Sequence, residues 1–162
     1  MKKLYSAVEI DLKTRFVLWN RRRNNQLKDS NVKVQLSSSG GYLKLVVFLL
    51  PNKNNFMRIA EYFIRSIIQS NYSGTEIRFV CSKEANFIDD NTVNTGVSMY
   101  DSEDLDKWGL PSLHFEKQIR DLNAEGFVDL DPEFNPVNAS LAIASNSPIR
   151  IGLESNLANY YY

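Results

Sequence analysis

Leu43 to Leu50 is a run of eight residues with one polar side chain, Lys44, and Pro51 follows it at once. A run this short, rich in Val and Leu, reads as a strand buried on both faces, because a strand with a wet face alternates apolar and polar residues. Pro51 ends the strand, since it has no N–H to give a ladder and its φ is fixed. Asn52, Lys53, Asn54 and Asn55 then make a polar turn. Beyond it, Phe56, Ile59, Ala60, Phe63, Ile64 and Ile67 recur at helical spacing and predict an amphipathic helix with that face inward. A buried strand, a tight polar loop and an amphipathic helix open a βαβ unit. Sheets built from such units take ligands just outside the carboxyl ends of their strands, which makes Asn52–Asn55 the first candidate site.

The rest of the chain repeats this alternation. Glu76–Ser82 reads as a second strand, with Ser82 as N-cap of a short helix over 83–89, and Val97–Tyr100 as a third strand. Residues 101–112 form an acidic, partly helical loop around Trp108. Leu113–Glu125 reads as a helix on its Leu113, Ile119 and Leu122 spacing, closed by Gly126. Phe127–Leu130 is a fourth strand, 137–145 a small apolar helix and 148–153 a fifth strand. Strands alternating with helices predict a three-layer α/β domain over 42–162, with a mainly parallel sheet of about five strands.

Charge is balanced overall but unevenly placed. Residues 1–35 hold nine Lys and Arg against three Asp and Glu, while 36–162 hold ten against sixteen. Leu4, Val8, Leu12, Phe16 and Trp19 recur near every fourth position, and Lys13, Arg15 and Arg21–Arg23 add positive charge. Residues 1–28 therefore read as a basic amphipathic helix. Such a helix either packs on the domain or a second copy, or lies on an anionic membrane surface. Residues 29–41 read as a linker, with Val32, Val34 and Leu36 alternating ahead of a flexible SSSGG. Glu9, Asp11 and Lys13 interrupt any apolar core of a signal peptide, and no run nears the roughly 18–20 apolar residues of a membrane span. Cys81 stands alone, which excludes a disulfide within the chain and fits a reducing compartment. The expectation is a cytoplasmic protein, with peripheral contact at the inner membrane through residues 1–28 as its extension.

Few residues carry recognisable chemistry. A helix start after Asn52–Asn55 offers unpaired N–H groups, and Lys53 and Arg58 would reinforce anion or sugar binding there. The same residues also read as a solvated turn with Asn55 as N-cap. Asp129 and Asp131 flank Leu130 on one face of the fourth strand, where paired carboxylates can divide acid and base roles or bind a cation. The plainer reading makes Asp131-Pro132 a turn and Asp129 the partner of a nearby Lys or Arg. Cys81 and His114 are too far apart in sequence to suggest a nucleophile and base, and Cys81 reads as a small buried thiol. Asp101–Asp106 lacks the glycine and spacing of a calcium loop and reads as a solvated loop and helix cap. No glycine-rich phosphate loop, metal motif or nucleic-acid recognition helix is present, so neither a cofactor, a metal nor a nucleic-acid partner is expected. Tyr160, Tyr161 and Tyr162 form an aromatic tail that suggests an interface or frays in solvent.

Three segments taken together, FLLPNKNNFMRIAEY, FVDLDPEFNPVNASLAIAS and SPIRIGL, resemble the N-terminal lobe of the ADP-heptose:lipopolysaccharide heptosyltransferases, glycosyltransferase family 9. The resemblance covers roughly residues 42–155. It rests on the order of Phe127–Asp131, the small-residue helix from Asn138 to Ser145, and Arg150-Ile151-Gly152-Leu153. It implies a Rossmann-like lobe of a two-lobed (GT-B) transferase, the lobe that holds the sugar or glycolipid acceptor. The substrate-binding residues expected from the strand-end loops are Asn52, Lys53, Asn54, Asn55, Arg58 and Asp131, and the resemblance implies a donor lobe on a partner chain or a second copy. The family's first loop carries a Gly-Asp pair whose carboxylate is the general base; here Pro51-Asn52-Lys53-Asn54 stands in its place. An amide does not take a proton from an acceptor hydroxyl. The sequence ends at Tyr162, about where a donor lobe would begin. The expectation is therefore an acceptor lobe, truncated or degenerate, linked to cell-envelope sugar transfer but inactive alone. The alternative is a non-catalytic binding or assembly module using the carboxyl edge of the sheet.

Overall fold

The computed structural model describes Phe16 and residues 43–69, 74–85 and 96–153. Five strands form one sheet: β1 (Leu45–Leu49), β2 (Glu76–Ser82), β3 (Val97–Tyr100), β4 (Gly126–Asp129) and β5 (Ile149–Ile151). Among the described residues, three α-helices lie between strands: α1 (Asn54–Gln69) between β1 and β2, α2 (Leu113–Asp121) between β3 and β4, and α3 (Pro136–Ala144) between β4 and β5. The order across the sheet is β3-β2-β1-β4-β5, and every pairing is parallel. This is a Rossmann-like α/β domain, and its sheet is wholly rather than mainly parallel.

β1 lies at the centre. Val46 faces Ile77 of β2 on one side and Gly126 of β4 on the other. All five of its residues are buried, as the apolar run predicts. Alternation divides them between two cores. Leu45, Val47 and Leu49 join Val80, Tyr100, Phe115, Ile119, Phe127 and Leu141, under α2 and α3. Val46 and Phe48, with Leu50 just beyond, join Met57, Ala60, Ile64, Phe79 and Cys81, under α1. The chain therefore runs to one side of β1 with α1 on one face, and to the other side with α2 and α3 on the opposite face. The direction of winding reverses between β1 and β4.

Where β1 meets β4, Gly126 lets the two strands close tightly. A Cβ there would stand 3.3 Å from both Leu43 Cδ1 and Val46 Cγ2. The amino end of this seam is held by hydrogen bonds. Glu125 N donates to Leu45 O at 3.0 Å, and Lys44 N donates to Glu125 Oε2 at 2.7 Å.

Several elements differ from their sequence reading. The buried stripe of α1 is Met57, Ala60 and Ile64, with Ile67 partly covered, while Ile59 is 68% exposed. Position 59 lies about 200° around the helix from position 57, so both cannot face the sheet. Phe63 is also largely exposed, although its ring meets Phe48 edge-on at 5.5 Å. Asn55 does not cap α1, because the first helical bonds, from Phe56 N and Met57 N, go to Lys53 O. α2 stops at Asp121, and the left-handed turn that ends it is made by Asn123 (φ 52°) rather than Gly126, which belongs to β4. Leu113 is 86% exposed, and Phe115 takes the inward position with Ile119. The helix expected over 83–89 is described only as a turn over Lys83–Ala85, with Glu84 N donating to Ser82 Oγ. Apart from Phe16, the helix of residues 1–28, the linker of 29–41 and the tyrosine tail lie outside the described residues.

The phase of α1 sets a direct expectation. Met57→Ala should lower unfolding free energy by about 2–4 kcal/mol, and Ile59→Ala should leave it within about 0.5 kcal/mol. Urea denaturation of the two variants reads the difference; equal losses would mean that the helix presents another face to the sheet.

Candidate functional site

The carboxyl ends of β1 and β4 flank the point where the winding reverses, which is the place open α/β sheets leave a crevice. Asn52 and Lys53 follow β1, and residues 130–135 follow β4. The two loops are joined in two ways. Lys53 Nζ pairs with Glu133 Oε2 across the mouth, both side chains remaining more than half exposed. Deeper in, the buried Asn138 at the start of α3 donates through Nδ2 to Asp129 Oδ1 at 2.8 Å and to Leu50 O at 3.4 Å. One amide thus bridges the ends of both strands.

The two aspartates are turned to holding the β4 loop. Asp129 Oδ1 also accepts from Asp131 N at 2.9 Å. Asp131 Oδ1 accepts from Glu133 N at 3.1 Å, and its Oδ2 from Asn135 Nδ2 at 3.2 Å. Asn135 in turn caps α3, its Oδ1 accepting from Val137 N and Asn138 N. Both carboxylates are buried. Of the readings open for the pair, the turn at Asp131-Pro132 matches this geometry. The contacts described for Asp129 include the Asn138 amide and the backbone N–H of Asp131.

Of the six residues expected to bind substrate, Asn52, Lys53, Asn54, Asn55 and Arg58 are exposed at the β1 loop and first turns of α1, whereas Asp131 is buried. Asn52 is anchored, because Tyr100 Oη donates to its Oδ1 at 3.2 Å. Tyr100 comes from the end of β3, so three strand ends converge here. Burial pushes the Tyr100 phenol up to about 12, which keeps it a neutral donor to Asn52. Glu133, Tyr100, Asn135 and Asn138 were not singled out from sequence. The one signal for any of them was Asn135-Pro136, a cap residue followed by proline at a helix start.

Beside this crevice, Lys83 after β2 pairs with Asp101 after β3. The Lys83 hydrogen bond holds the Asp101 carboxyl below its ordinary range, and the same contact raises the Lys83 ammonium. Asp101 also caps the turn over Ser102–Asp104, as the acidic loop was expected to do. Cys81 and His114 do not meet. Cys81 lies in the core under α1, and His114 is exposed on α2, across the sheet, beside Gln118. Burial raises the thiol to about 11. Among the described residues no cluster of His, Cys, Asp and Glu is arranged to hold a metal ion, and no helix is long and apolar enough to cross a membrane. No family model, curated protein or solved structure matches the chain.

The arrangement offers an exposed rim of amides with one lysine, above a floor of buried polar groups that satisfy one another. Asn138→Ala should cost about 1–3 kcal/mol, because it removes a buried amide donor shared by Asp129 Oδ1 and Leu50 O. Asn135→Ala, losing a cap, should cost about 1–2 kcal/mol. Denaturant titration checks both, and a neutral Asn138→Ala would refute the bridge. A second expectation concerns Cys81. Its thiol should resist a disulfide reagent at about pH 8 in the folded protein and react fully once urea unfolds the chain; prompt labelling of the native protein would place it outside the core.

Proposed function

We infer that this domain is a binding lobe of the kind that holds the acceptor in glycosyltransferase family 9, taking a sugar-bearing ligand at the crevice between the β1 and β4 loops. The observation that supports this most is the division of labour at the crevice. Exposed Asn52, Lys53, Asn54 and Asn55 line its rim, while Asp129 and Asp131 are committed to the loop beneath. Amides and a lysine suit hydroxyl groups and anionic substituents of a glycan, since they offer donors and acceptors without a base. The resemblance of residues 42–155 to that lobe supplies the ligand class, a lipopolysaccharide-type acceptor. In this reading the chain binds and does not turn over a nucleotide-sugar by itself; the donor lobe comes from a partner chain or a second copy. Its place is the cytoplasmic face of the inner membrane, where such an acceptor is presented.

A second reading makes the domain an assembly module that uses the same carboxyl edge. The committed aspartates favour it equally, and only a ligand separates the two. The test is an amide-resolved NMR titration of the full chain with a deacylated, heptose-containing lipopolysaccharide oligosaccharide. Shifts at Asn52–Asn55 and Glu133, weakened roughly threefold to tenfold by Lys53→Ala, are the expected result. No shift at millimolar oligosaccharide would reject the acceptor lobe in favour of the assembly module. Release of nucleotide from ADP-heptose by the chain alone, above the Lys53→Ala background, would overturn the binding-only mechanism.

A further inference from the structure

Trp108 is 46% exposed, yet its position is firmly built. Asp106 Oδ1 accepts from Trp108 N at 2.8 Å and from Leu110 N at 3.0 Å. Asp106 N donates to Leu110 O at 2.7 Å, and Gly109, at φ +73°, lets the chain turn there. Leu105 and Pro111 bridge the base of the turn. A large aromatic ring held outward on a hydrogen-bonded turn is a surface feature with a fixed shape. It meets Phe16, whose ring centroid lies 5.7 Å away at an interplanar angle of 37°. Exposed Leu113 adjoins the same turn in sequence.

The charges agree with this contact. The turn and its approach carry Asp101, Glu103, Asp104 and Asp106, against Lys83 on Asp101 and Lys107 over the Trp108 ring. Phe16 belongs to a segment, residues 1–28, with eight Lys and Arg against Glu9 and Asp11. Lys13 and Arg15 lie within three residues of Phe16, and Leu12 and Trp19 stand at helical spacing from it.

We propose that the acidic turn around Trp108 is the docking surface for the chain's own basic N-terminal segment, which is seated by Phe16 on the Trp108 ring and steered by opposite charge. Because the tether keeps the segment near its surface, docking is intramolecular and needs only a modest contact. In the helix that the sequence spacing predicts for residues 1–28, Leu12, Phe16 and Trp19 share the face that would enter a membrane surface, so docking would withhold it from lipid. This inference stands apart from the ligand of the crevice.

Limited trypsin digestion of the full chain tests it, with cleavage after Lys13 and Arg15 followed by mass spectrometry. Cleavage there should be slow in the native protein, and Trp108→Ala should accelerate it roughly threefold to tenfold, the weight of one aromatic pair. Trp108→Phe should restore most of the protection. Cleavage after Lys117 and Arg120 in α2 reports whether each variant remains folded. Raising ionic strength from about 0.01 M to about 1 M shrinks the screening length from about 30 Å to about 3 Å and should also speed cleavage. Equal rates in the native chain and Trp108→Ala would overturn the proposal. So would protection that grows with protein concentration, which would make a second copy the occupant, or protection that appears only with anionic phospholipid vesicles.

Discussion

The central strand depends on having every one of its surfaces covered. β1 gives its backbone to β2 on one side and β4 on the other, and its side chains to apolar layers above and below. A strand so enclosed cannot slip by one residue without exchanging its two cores, because alternate side chains belong to different layers. The register of β1 therefore sets its own end, with the loop that carries Asn52 and Lys53, beside the end of β4, with the loop that carries Glu133. The candidate site is placed by that enclosure. Its location follows from the reversal of winding between β1 and β4, and its contents follow from which residues come next in the chain.

Much of this architecture was legible because it depends on local pattern. β2 and β3 fall where their short apolar runs predict, and the parallel sheet follows from strands alternating with helices. The phase of α1 was not legible. Phe56, Met57, Ile59, Ala60, Tyr62, Phe63 and Ile64 spread apolar groups over more than one face, so the sequence admits several inward stripes. Only the position of the sheet selects Met57, Ala60 and Ile64. The end of α2 was misassigned for a related reason. Gly126 is the obvious helix stop, but the strand seam needs it more, and Asn123 tolerates the left-handed conformation.

The candidate site divides in the same way. The exposed amides after β1 could be found from the rule that ligands meet open α/β sheets at carboxyl ends. Glu133 and Tyr100 could not, since their partners Lys53 and Asn52 are remote in sequence. Nor does a lone aspartate beside proline announce that it will be buried. Asp131 is covered because Asn135, itself fixed as the cap of α3, reaches back to it. Sequence patterns register periodicity and punctuation well. They do not register side chains that satisfy one another across long separations.

The seam between β1 and β4 is pinned at both ends. At its amino end the missing side chain of Gly126 and the bonds of Glu125 draw the strands together, and at its carboxyl end Asn138 clasps Leu50 and Asp129. The floor between the two loops is thus tied across both strands, and among the described residues the outer side-chain contact between these loops is the exposed Lys53–Glu133 pair. Under the binding reading proposed above, that exposed pair is the contact that would have to yield to a ligand, while the seam of the sheet keeps its shape.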